Sequence, residues 1–387
     1  MTSNSREILV LTGTRAEYGL LKSSMEEIHD NDELSLSVVA TGMHLSPKHG
    51  MTVDDIREDG FTIDREVLMH LDADSVASMA KSLGIGIIGL TDAIEAINPD
   101  VVLLLGDRDE ALAGALAAAH MNIPVAHIHG GDSMHGAVID DSIRHAITKF
   151  AHIHFPASKL SAERLRKMGE EDWRITISGA PGLDDILENQ FDNPADILEK
   201  YDLDPSKPIF LIIQHPVTTQ PEEAGVQMES TLDAVESFDA QSIIIYPNSD
   251  AGGDKIISVI EERHFTQVVR TFKSLPRREY LAIMEAADVM IGNSSSAIIE
   301  APSFKLPVVD IGPRQKGRER AENTISVSHE EDGIRNAISR GLSDNDFIQK
   351  VDSCTNPYEY GGAGERIATR LANIEDLDEF LKKRLTY

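Results

Sequence analysis

The sequence predicts an α/β protein made of two domains, each built on a doubly wound parallel sheet. Short apolar runs such as Val101–Leu105 and Ile209–Ile213 are typical of strands that are covered on both faces. Each run is followed by a turn and an amphipathic stretch, which is the alternation that parallel sheets require. The alternation stops in a polar stretch between residues 180 and 207 and then restarts. Because 387 residues are also many for one hydrophobic core, we expect two domains.

The first domain shows strands and helices in regular succession. Apolar runs predict strands at Glu7–Leu11, Leu34–Ala40, Val101–Leu105, Ile123–Ile128 and His152–Phe155. Helical periodicity predicts helices at Glu17–Ile28, Asp72–Ala96, Asp109–His120 and Asp140–Phe150. Because a helix separates most of the consecutive strands, we expect the strands to form one parallel sheet.

The second domain repeats this succession. Its predicted strands are Ile209–Gln214, Ser242–Tyr246, Thr266–Thr271, Val289–Gly292 and Pro307–Ile311. Its predicted helices are Glu222–Glu236, Asp254–Arg263 and Arg277–Ala286. A last helix, within Ala363–Leu385, is long enough to pack back on the first domain. We therefore expect domains at 1–190 and 191–362 and a helical segment at 363–387, with a ligand cleft at the carboxyl ends of the strands.

Charge and composition exclude several classes of partner. Sixty-five acidic and 36 basic residues give a net charge of −29, which opposes binding to nucleic acid and to anionic membranes. Cys354 is the only cysteine, so an internal disulfide and a cysteine-based metal cage are excluded. No apolar run approaches the roughly 18 residues of a membrane span, and Met1–Glu7 lacks the layout of a secretory signal. These features predict a cytoplasmic protein.

Charged residues follow two strands of the first domain. Gly13-Thr14-Arg15 opens a helix but matches neither the dinucleotide nor the Walker-type phosphate motif. Arg15 could still bind a phosphate beside the amides of that helix. Asp107 and Arg108 come directly after Val101–Leu105, and charges at the end of a buried strand must face a cleft or be paired. We therefore interpret Asp107 as a functional residue.

Histidines and carboxylates are concentrated between residues 120 and 154, which hold seven of the 14 histidines. Asp132, Asp140 and Asp141 lie in this segment, together with His129 and Arg144. Such a set suits either acid–base catalysis or metal binding, and spacing alone does not bring together the three or four ligands of a metal. Arg144 follows Asp140 and Asp141 by one helical turn, which predicts a structural ion pair with one of them.

The second domain carries the groups expected of an anion site. His215 ends its first strand and Asn248 follows the next one. Ser294 and Ser295 come after Gly292, where hydroxyls and backbone amides at a helix start could hold a phosphate. Glu300, further along that helix, could accept hydrogen bonds from a ribose diol, and Arg314 adds a positive charge. We interpret these residues as a nucleoside-diphosphate site.

Together these segments resemble the hydrolysing UDP-N-acetylglucosamine 2-epimerases of the sialic and related nonulosonic acid pathways. The resemblance runs from about residue 6 to residue 366, and it rests on Thr12-Gly13-Thr14-Arg15-Ala16-Glu17-Tyr18, Gly106-Asp107-Arg108, His127 to Asp132, Asp140 to His145, His215-Pro216, Tyr246-Pro247-Asn248, Gly292 to Ser296 with Glu300, and Gly312-Pro313-Arg314-Gln315. It implies a GT-B-like fold, with two Rossmann-like domains and the active site in the cleft between them.

The resemblance also implies a reaction, from UDP-N-acetylglucosamine to N-acetylmannosamine and UDP. Anti elimination would give a 2-acetamidoglucal, to which water then adds. The matching catalytic positions are Asp107, Asp132, Asp140 and His215, with His129, Asp141 and Arg144 as secondary candidates. The matching UDP-sugar positions are Arg15, Arg108, Asn248, Ser294, Ser295, Glu300 and Arg314. No metal or other cofactor is expected, and the chain is expected to form a homodimer or homotetramer.

Four alternatives remain at this point. One is the same reaction on UDP-2,4-diacetamido-2,4,6-trideoxyglucose, also called UDP-N,N'-diacetylbacillosamine. Another is a non-hydrolysing epimerase, which would share the first step but return UDP to C1. A metal-dependent hydrolase would instead use the histidine cluster, and a nucleotide-sugar sensor would bind UDP without turnover.

Overall fold

Two parallel sheets organise the chain. A computed structural model describes residues 5–71, 75–134 and 139–387, and the strands of this part form two six-stranded sheets in which all pairings are parallel. The chain divides into two compact units. The first unit comprises Met1–Gly136, Asp140–Leu187 and Tyr358–Tyr387, and the second comprises Ala137–Ile139 and Glu188–Pro357.

The first unit contains one sheet with the strand order β3-β2-β1-β4-β5-β6. Its strands are β1 (Arg6–Thr12), β2 (Leu34–Thr41), β3 (Arg65–Val67), β4 (Val101–Leu105), β5 (Val125–Ile128) and β6 (Ile153–Phe155). Seven α-helices precede residue 188 in the described part of the chain. They are α1 (Arg15–His29), α2 (Val53–Glu58), α3 (Val76–Ile97), α4 (Asp109–His120), α5 (Ile139–Phe150), α6 (Lys159–Lys167) and α7 (Asp184–Leu187).

The second unit contains the other sheet, with the strand order β12-β11-β10-β7-β8-β9. Its strands are β7 (Ile209–Ile213), β8 (Gln241–Ile245), β9 (Val269–Phe272), β10 (Val289–Gly292), β11 (Val308–Ile311) and β12 (Thr324–Val327). Its helices are α8 (Pro194–Lys200), α9 (Ala224–Glu236), α10 (Gly253–Glu262), α11 (Arg277–Ala286), α12 (Ser296–Ile299), α13 (Glu331–Ser343) and α14 (Asn345–Ser353).

The two sheets share one topology. In each, the first and fourth strands lie side by side at the centre, β1 against β4 and β7 against β10. The chain therefore changes direction across the sheet at this pair, and ligands of open α/β sheets bind outside the carboxyl ends of strands at such a switch point. The residues that follow these four strands are the ones to consider for function.

Each sheet is covered by apolar side chains on both faces. All five residues of β4 and all five of β7 are buried. In β1, Ile8 and Val10 face one cluster of core residues while Leu9 and Leu11 face another. Strands buried on both faces explain why the sequence shows continuous apolar runs rather than alternation.

The end of the chain returns to the first unit as two helices, α15 (Ala363–Ala372) and α16 (Leu377–Leu381). Ile367, Ala368 and Leu371 belong to the same core cluster as Leu21 and Met25 of α1. Asp184 fixes the start of α15, because its carboxylate accepts hydrogen bonds from the backbone N–H groups of Ala363 (3.0 Å) and Gly364 (2.8 Å).

Helix α3 is the one helix, among the described residues, that is long and apolar enough to span a membrane. Length and composition alone are weak evidence, since core helices of globular domains meet the same criterion. In this structure Leu90, Ala93 and Ile94 of α3 are buried in a core cluster of the first unit. Helix α3 therefore packs as a core helix along that side.

Several elements differ from the sequence predictions. The missed elements are the edge strands β3 and β12 and the helices α2, α6, α7, α8, α13 and α14. Asp72–Asp74, the predicted start of α3, lie outside the described residues, and the helix is capped by Ser75. The predicted helix after Gly292 is only the four-residue α12, because Pro302 follows one turn later and cannot continue a helix.

The packing of α15 predicts a large effect of Leu371→Ala. Leu371 is fully buried, so we expect the variant to lose about 2–5 kcal/mol of unfolding free energy. Urea unfolding followed by circular dichroism measures this loss. Leu385→Ala, at a position that is 59% exposed, is the matched control and should change stability by less than about 0.5 kcal/mol. Equal effects of the two variants would show that α15 is not part of the first core.

Candidate functional site

The first unit brings Asp107, His129 and Arg144 into contact. Asp107 follows β4 through Gly106, whose φ of +82° favours glycine. The Arg144 guanidinium, from α5, forms an ion pair with Asp107 and donates a hydrogen bond to the carbonyl of His129 at 2.9 Å. Arg144 is buried, so this pair joins the ends of β4 and β5 to α5. The sequence predicted that Arg144 would pair with Asp140 or Asp141, and the structure corrects this partner to Asp107.

His127 is buried and contacts the backbone of Gly106, the residue before Asp107. Its Nε2 lies 2.7 Å from the carbonyl oxygen of Gly106, and a carbonyl only accepts, so Nε2 carries the proton. Burial lowers the pKa of His127 to about 3, which keeps the imidazole neutral. His129, by contrast, follows the end of β5 with a φ of +64° and lies outside the strand.

Three further carboxylates of the first unit are buried near the start of α5. Asp132 is 2% exposed. It precedes residues 135–138, which include His135 and lie outside the described residues. Asp140 and Asp141 occupy the first turn of α5. The carboxylate of Asp141 accepts a hydrogen bond from the backbone N–H of Met134 at 2.6 Å and lies 3.8 Å from His145 Nε2. Asp132 and Asp141 thus stand on the two sides of residues 135–138 in the chain.

Arg15 and Arg108 lie at the switch point of the first sheet. Arg15 begins α1, directly after β1, and its Nε lies 3.0 Å from Asp55. Arg108 follows β4, and its Nε lies 3.4 Å from Glu110. Glu110 and the nearby Glu17 are 1% and 5% exposed, and neither was predicted as a site residue.

Asn293 organises the site of the second unit. Its side chain accepts a hydrogen bond from the backbone N–H of His215 (2.7 Å) and donates one to the carbonyl of His215 (2.9 Å). Its own carbonyl accepts from Arg314 at 3.3 Å and from Gln315 at 2.8 Å. One buried asparagine, directly after β10, therefore joins His215 after β7 to Arg314 after β11. Neither Asn293 nor Gln315 was predicted as a site residue, although both stand inside segments that carry the resemblance.

His215 and Asn248 are also linked directly. The backbone N–H of Asn248 donates to His215 Nδ1 at 3.1 Å, so a neutral His215 carries its proton on Nε2. The Asn248 side chain donates to Asp250 at 2.7 Å. His215 can therefore present an N–H donor on the side of the ring away from Asn248.

The serine segment follows β10 at Gly292, whose φ of +131° and close approach to the carbonyl of Ile213 leave no room for a Cβ atom. Ser294 Oγ lies 2.9 Å from Ser296 Oγ, which accepts a hydrogen bond from Tyr280 at 2.6 Å. Ser295 precedes α12 without a side-chain capping bond. Since α12 is so short, its dipole would add little to an anion site, and the hydroxyls and local amides are the polar groups that this segment offers.

Glu300 stands at the end of α12 and is buried in an ion pair with Arg277. Burial raises the pKa of the neighbouring Tyr280, and the charge of Glu300 adds to the effect. Arg277 and Tyr280, both of α11, were not selected from the sequence, and helical amphipathicity gave no signal for them. Within the described residues, no group of three or more histidine, cysteine or acidic side chains is arranged to hold a metal ion.

Comparisons with known proteins agree on one family. The family model described as UDP-N-acetylglucosamine 2-epimerase matches residues 26–372. The chain is 40% identical over 382 residues to the UDP-N,N'-diacetylbacillosamine 2-epimerase (hydrolyzing) of Legionella pneumophila, covering 99% of this chain and 100% of the relative. It is 31% identical over 379 residues to the UDP-N-acetylglucosamine 2-epimerase of Neisseria meningitidis serogroup B, covering 98% of each chain.

A solved structure supports the fold. The UDP-GlcNAc 2-epimerase from Neisseria meningitidis, bound to UDP-GlcNAc, superposes with a TM-score of 0.81 at 19% identity, over 95% of this chain and 100% of that one. At this identity the likeness shows the fold. It confirms the prediction of two Rossmann-like domains in a GT-B-like fold.

The hydrogen bonds that Asn293 makes to His215 predict that Asn293→Ala destabilises the second unit. Removing the side chain leaves the N–H and C=O groups of His215 without their partner, which costs about 1–3 kcal/mol of unfolding free energy. Urea denaturation measures the loss. Asn336→Ala, on the exposed face of α13 in the same unit, is the control and should stay within about 0.5 kcal/mol of the wild type. Losses of the same size in both variants would contradict the assigned role.

Proposed function

Because the chain belongs to the UDP-N-acetylglucosamine 2-epimerase family, we propose that it is a hydrolysing 2-epimerase, which converts a UDP-2-acetamido sugar into the free 2-epimer and UDP. The observation that carries the proposal is the 40% identity, over the full length of both chains, to a relative named as hydrolysing. The buried carboxylates of the first unit and the polar groups of the second supply the parts that this chemistry requires.

The proposed substrate is a UDP-linked 2-acetamido sugar. The Legionella pneumophila relative acts, by its name, on UDP-N,N'-diacetylbacillosamine, and a Campylobacter jejuni relative named for GDP/UDP-N,N'-diacetylbacillosamine is 36% identical over 325 residues. These likenesses exceed the 31% to the relative named for UDP-N-acetylglucosamine. They favour the 2,4-diacetamido sugar, with UDP-N-acetylglucosamine as the second candidate. Incubation with each UDP sugar and NMR identification of the products decides between them.

In the proposed reaction, elimination comes first. The C2 hydrogen is barely acidic, so its removal depends on the departure of UDP from C1. We assign the stabilisation of that leaving group to Arg314, Ser294 and Ser295 of the second unit, with His215 as a hydrogen-bond donor from Nε2. Asn248 and Glu300 are assigned to the nucleotide, and Arg15 and Arg108 of the first unit to the UDP-sugar.

Proton transfer is assigned to the carboxylates of the first unit. One group removes the C2 proton, and another delivers a proton from the opposite face when water adds to the glycal. Asp107, Asp132 and Asp140 are the candidates, with His129, Asp141 and Arg144 in supporting positions. The contact of Asp107 with Arg144 fixes its carboxylate in place, which is what a proton-transferring group needs.

We further propose that the enzyme needs no metal or other cofactor, acts in the cytoplasm and assembles as a homodimer or homotetramer. Full turnover after exhaustive chelation would agree with the first point, and light scattering measures the last.

The elimination mechanism predicts isotope exchange at C2. Turnover in D2O should give the 2-epimeric sugar with deuterium at C2, because the original proton is lost before water adds. Proton NMR of the product, sampled early against a no-enzyme control, measures the incorporation. Retained C2 hydrogen, or release of unepimerised sugar, would mean simple glycosyl hydrolysis and contradict the proposal.

The assignment of Asp107 predicts that Asp107→Asn slows turnover by about 10²–10⁴-fold, because the variant keeps the shape and loses the ionisable group. UDP binding, measured by calorimetry, should remain. Asp109→Asn, two positions further on, is the control and should leave turnover near the wild-type rate. Near-normal turnover of Asp107→Asn would move the proton transfer to Asp132 or Asp140.

The phosphate assignment predicts weaker UDP binding in the double variant Ser294→Ala, Ser295→Ala. Two hydrogen bonds to a charged group correspond to a loss of roughly 2–4 kcal/mol of binding free energy. Titration calorimetry with UDP measures this value, and circular dichroism checks that the fold is intact. Ser339→Ala, on the exposed face of α13, is the control. An unchanged UDP affinity would remove the serine segment from the nucleotide site.

A further inference from the structure

Two buried carboxyl groups border the turn that leads from β1 to Arg15. Glu17, on α1, is 5% exposed, and its Oε2 accepts a hydrogen bond from the backbone N–H of Gly13 at 2.7 Å. Glu110, on α4, is 1% exposed. Both belong to the switch point of the first sheet, where β1 and β4 end side by side.

The glycines of this corner show how close the two carboxyl groups lie. A Cβ atom on Gly13 would stand 2.6 Å from Glu110 Cγ and 2.9 Å from its carboxyl carbon. A Cβ atom on Gly42 would stand 2.5 Å from Glu110 Oε1. The Glu110 carboxyl therefore occupies the space that side chains at Gly13 and Gly42 would take, and Glu17 binds the same Gly13 from its N–H side. The two acidic groups share one small, buried corner.

The basic side chains nearest to this corner face Glu110. The Nε atom of Arg108 lies 3.4 Å from Glu110 Oε2, and His70 Nε2 lies 3.6 Å from Glu110 Oε1. His44, at the end of β2, has its pKa lowered to about 4 by burial and is neutral. Arg15 faces Asp55 of α2 at 3.0 Å. In the described part of the chain, Arg108 is thus the guanidinium that directly faces the pair.

Burial raises the pKa of Glu17 to about 8. The N–H of Gly13 and the charge of Arg108 oppose this shift, and the charge of Glu110 adds to it. An ionised Glu17 would be both removed from water and repelled by Glu110, so burial and the neighbouring acid each favour its protonated form.

We propose that Glu17 and Glu110 act together as a positioning pair for the two arginines at this switch point. Glu17 keeps its proton in the fold and holds the turn from Gly13 to Arg15, and the carboxylate of Glu110 holds the guanidinium of Arg108. Neither carboxyl is assigned a contact with substrate. The role of Arg15 and Arg108 as ligands of the UDP-sugar rests on the proposed function.

The pair links stability to pH with a definite sign. In the unfolded chain Glu17 ionises near its ordinary pKa of 4.5, and in the fold it ionises near 8. Its contribution to stability is therefore fully present below about pH 4.5 and is lost as the pH rises towards about 8, where it levels off. Above that pH Glu17 is ionised, and its repulsion by the charge of Glu110 displaces the turn and Arg108.

The first test compares melting temperatures of the wild type, Glu17→Gln and Glu27→Gln between pH 5 and pH 9. Glutamine keeps the shape of Glu17 without a proton to lose. The melting temperature of Glu17→Gln should therefore rise relative to that of the wild type between pH 5 and pH 8, and the difference should stay constant above pH 8. Glu27 is an exposed acid of the same helix, and the melting temperature of Glu27→Gln should change with pH as that of the wild type does. If the melting temperature of Glu17→Gln also changes with pH as that of the wild type does, Glu17 is ionised in the fold and the proposal is overturned.

A measurement on the wild type covers the case in which Glu17→Gln does not fold. Infrared spectra of the protein labelled with carboxyl-13C glutamate should show a protonated carboxyl at pH 7 that disappears with a midpoint near pH 8. Absence of that band at pH 7 would equally overturn the proposal.

The second test concerns positioning and uses UDP affinity, measured by calorimetry from pH 7 to pH 9. Because one proton is linked, wild-type affinity should fall by up to about tenfold per pH unit above pH 8 relative to Glu17→Gln. The ratio of the two affinities cancels the titration of UDP itself. A constant ratio would contradict the positioning role while leaving the proposed function intact. Conversely, if the ratio of wild-type to Glu17→Gln affinity falls as the pH rises and neither protein turns over either UDP sugar, the pair is upheld and the proposed function is defeated.

Discussion

Parallel strand pairing with apolar cover on both faces is the constraint on which the rest of this structure depends. Strands such as β4 and β7 can carry no polar side chain along their length, so polar groups are placed where the strands end. In both units the first and fourth strands end side by side, and the candidate residues follow them: Arg15 and Asp107 in one unit, His215 and Asn293 in the other. The topology thus brings together residues that are about 90 positions apart in the first unit and about 80 in the second.

The central strands could be predicted because strands that are buried on both faces consist of continuous apolar runs. The edge strands could not. In β3, Arg65 and Glu66 are exposed, and in β12 the pattern Thr-Ile-Ser-Val is too short and too polar to differ from a loop. Helix α12 was expected to be longer because the hydroxyl residues before it suggest a helix start, whereas its end depends on Pro302. Local signals therefore located the start of elements better than their extent.

The sequence could predict which residues belong to the candidate site, but it could not predict which of them contact each other. Charged residues after buried strands, such as Asp107 and Arg314, stand out because a core would exclude them. The partner of Arg144 is fixed by how α5 packs on the ends of β4 and β5, and helical spacing within α5 carries no information about that. Asn293 and Glu17 read as ordinary polar residues, since a sequence does not state which of its polar atoms are buried. Their roles follow only from hydrogen bonds to chain segments that are remote in sequence or, for Glu17, from burial beside Glu110.

The chain leaves the first unit at Leu187 and returns to it at Tyr358, so the second unit is an insertion within the first. A ribosome makes the sheet of the first unit early, but α15 and α16, which cover part of its core, are made only after residues 188–357. The inserted unit can therefore fold before that cover exists, whereas the first unit exposes the apolar face of α1 until α15 and α16 have emerged. Nascent-chain quality control would therefore act mainly on the amino-terminal half of this protein.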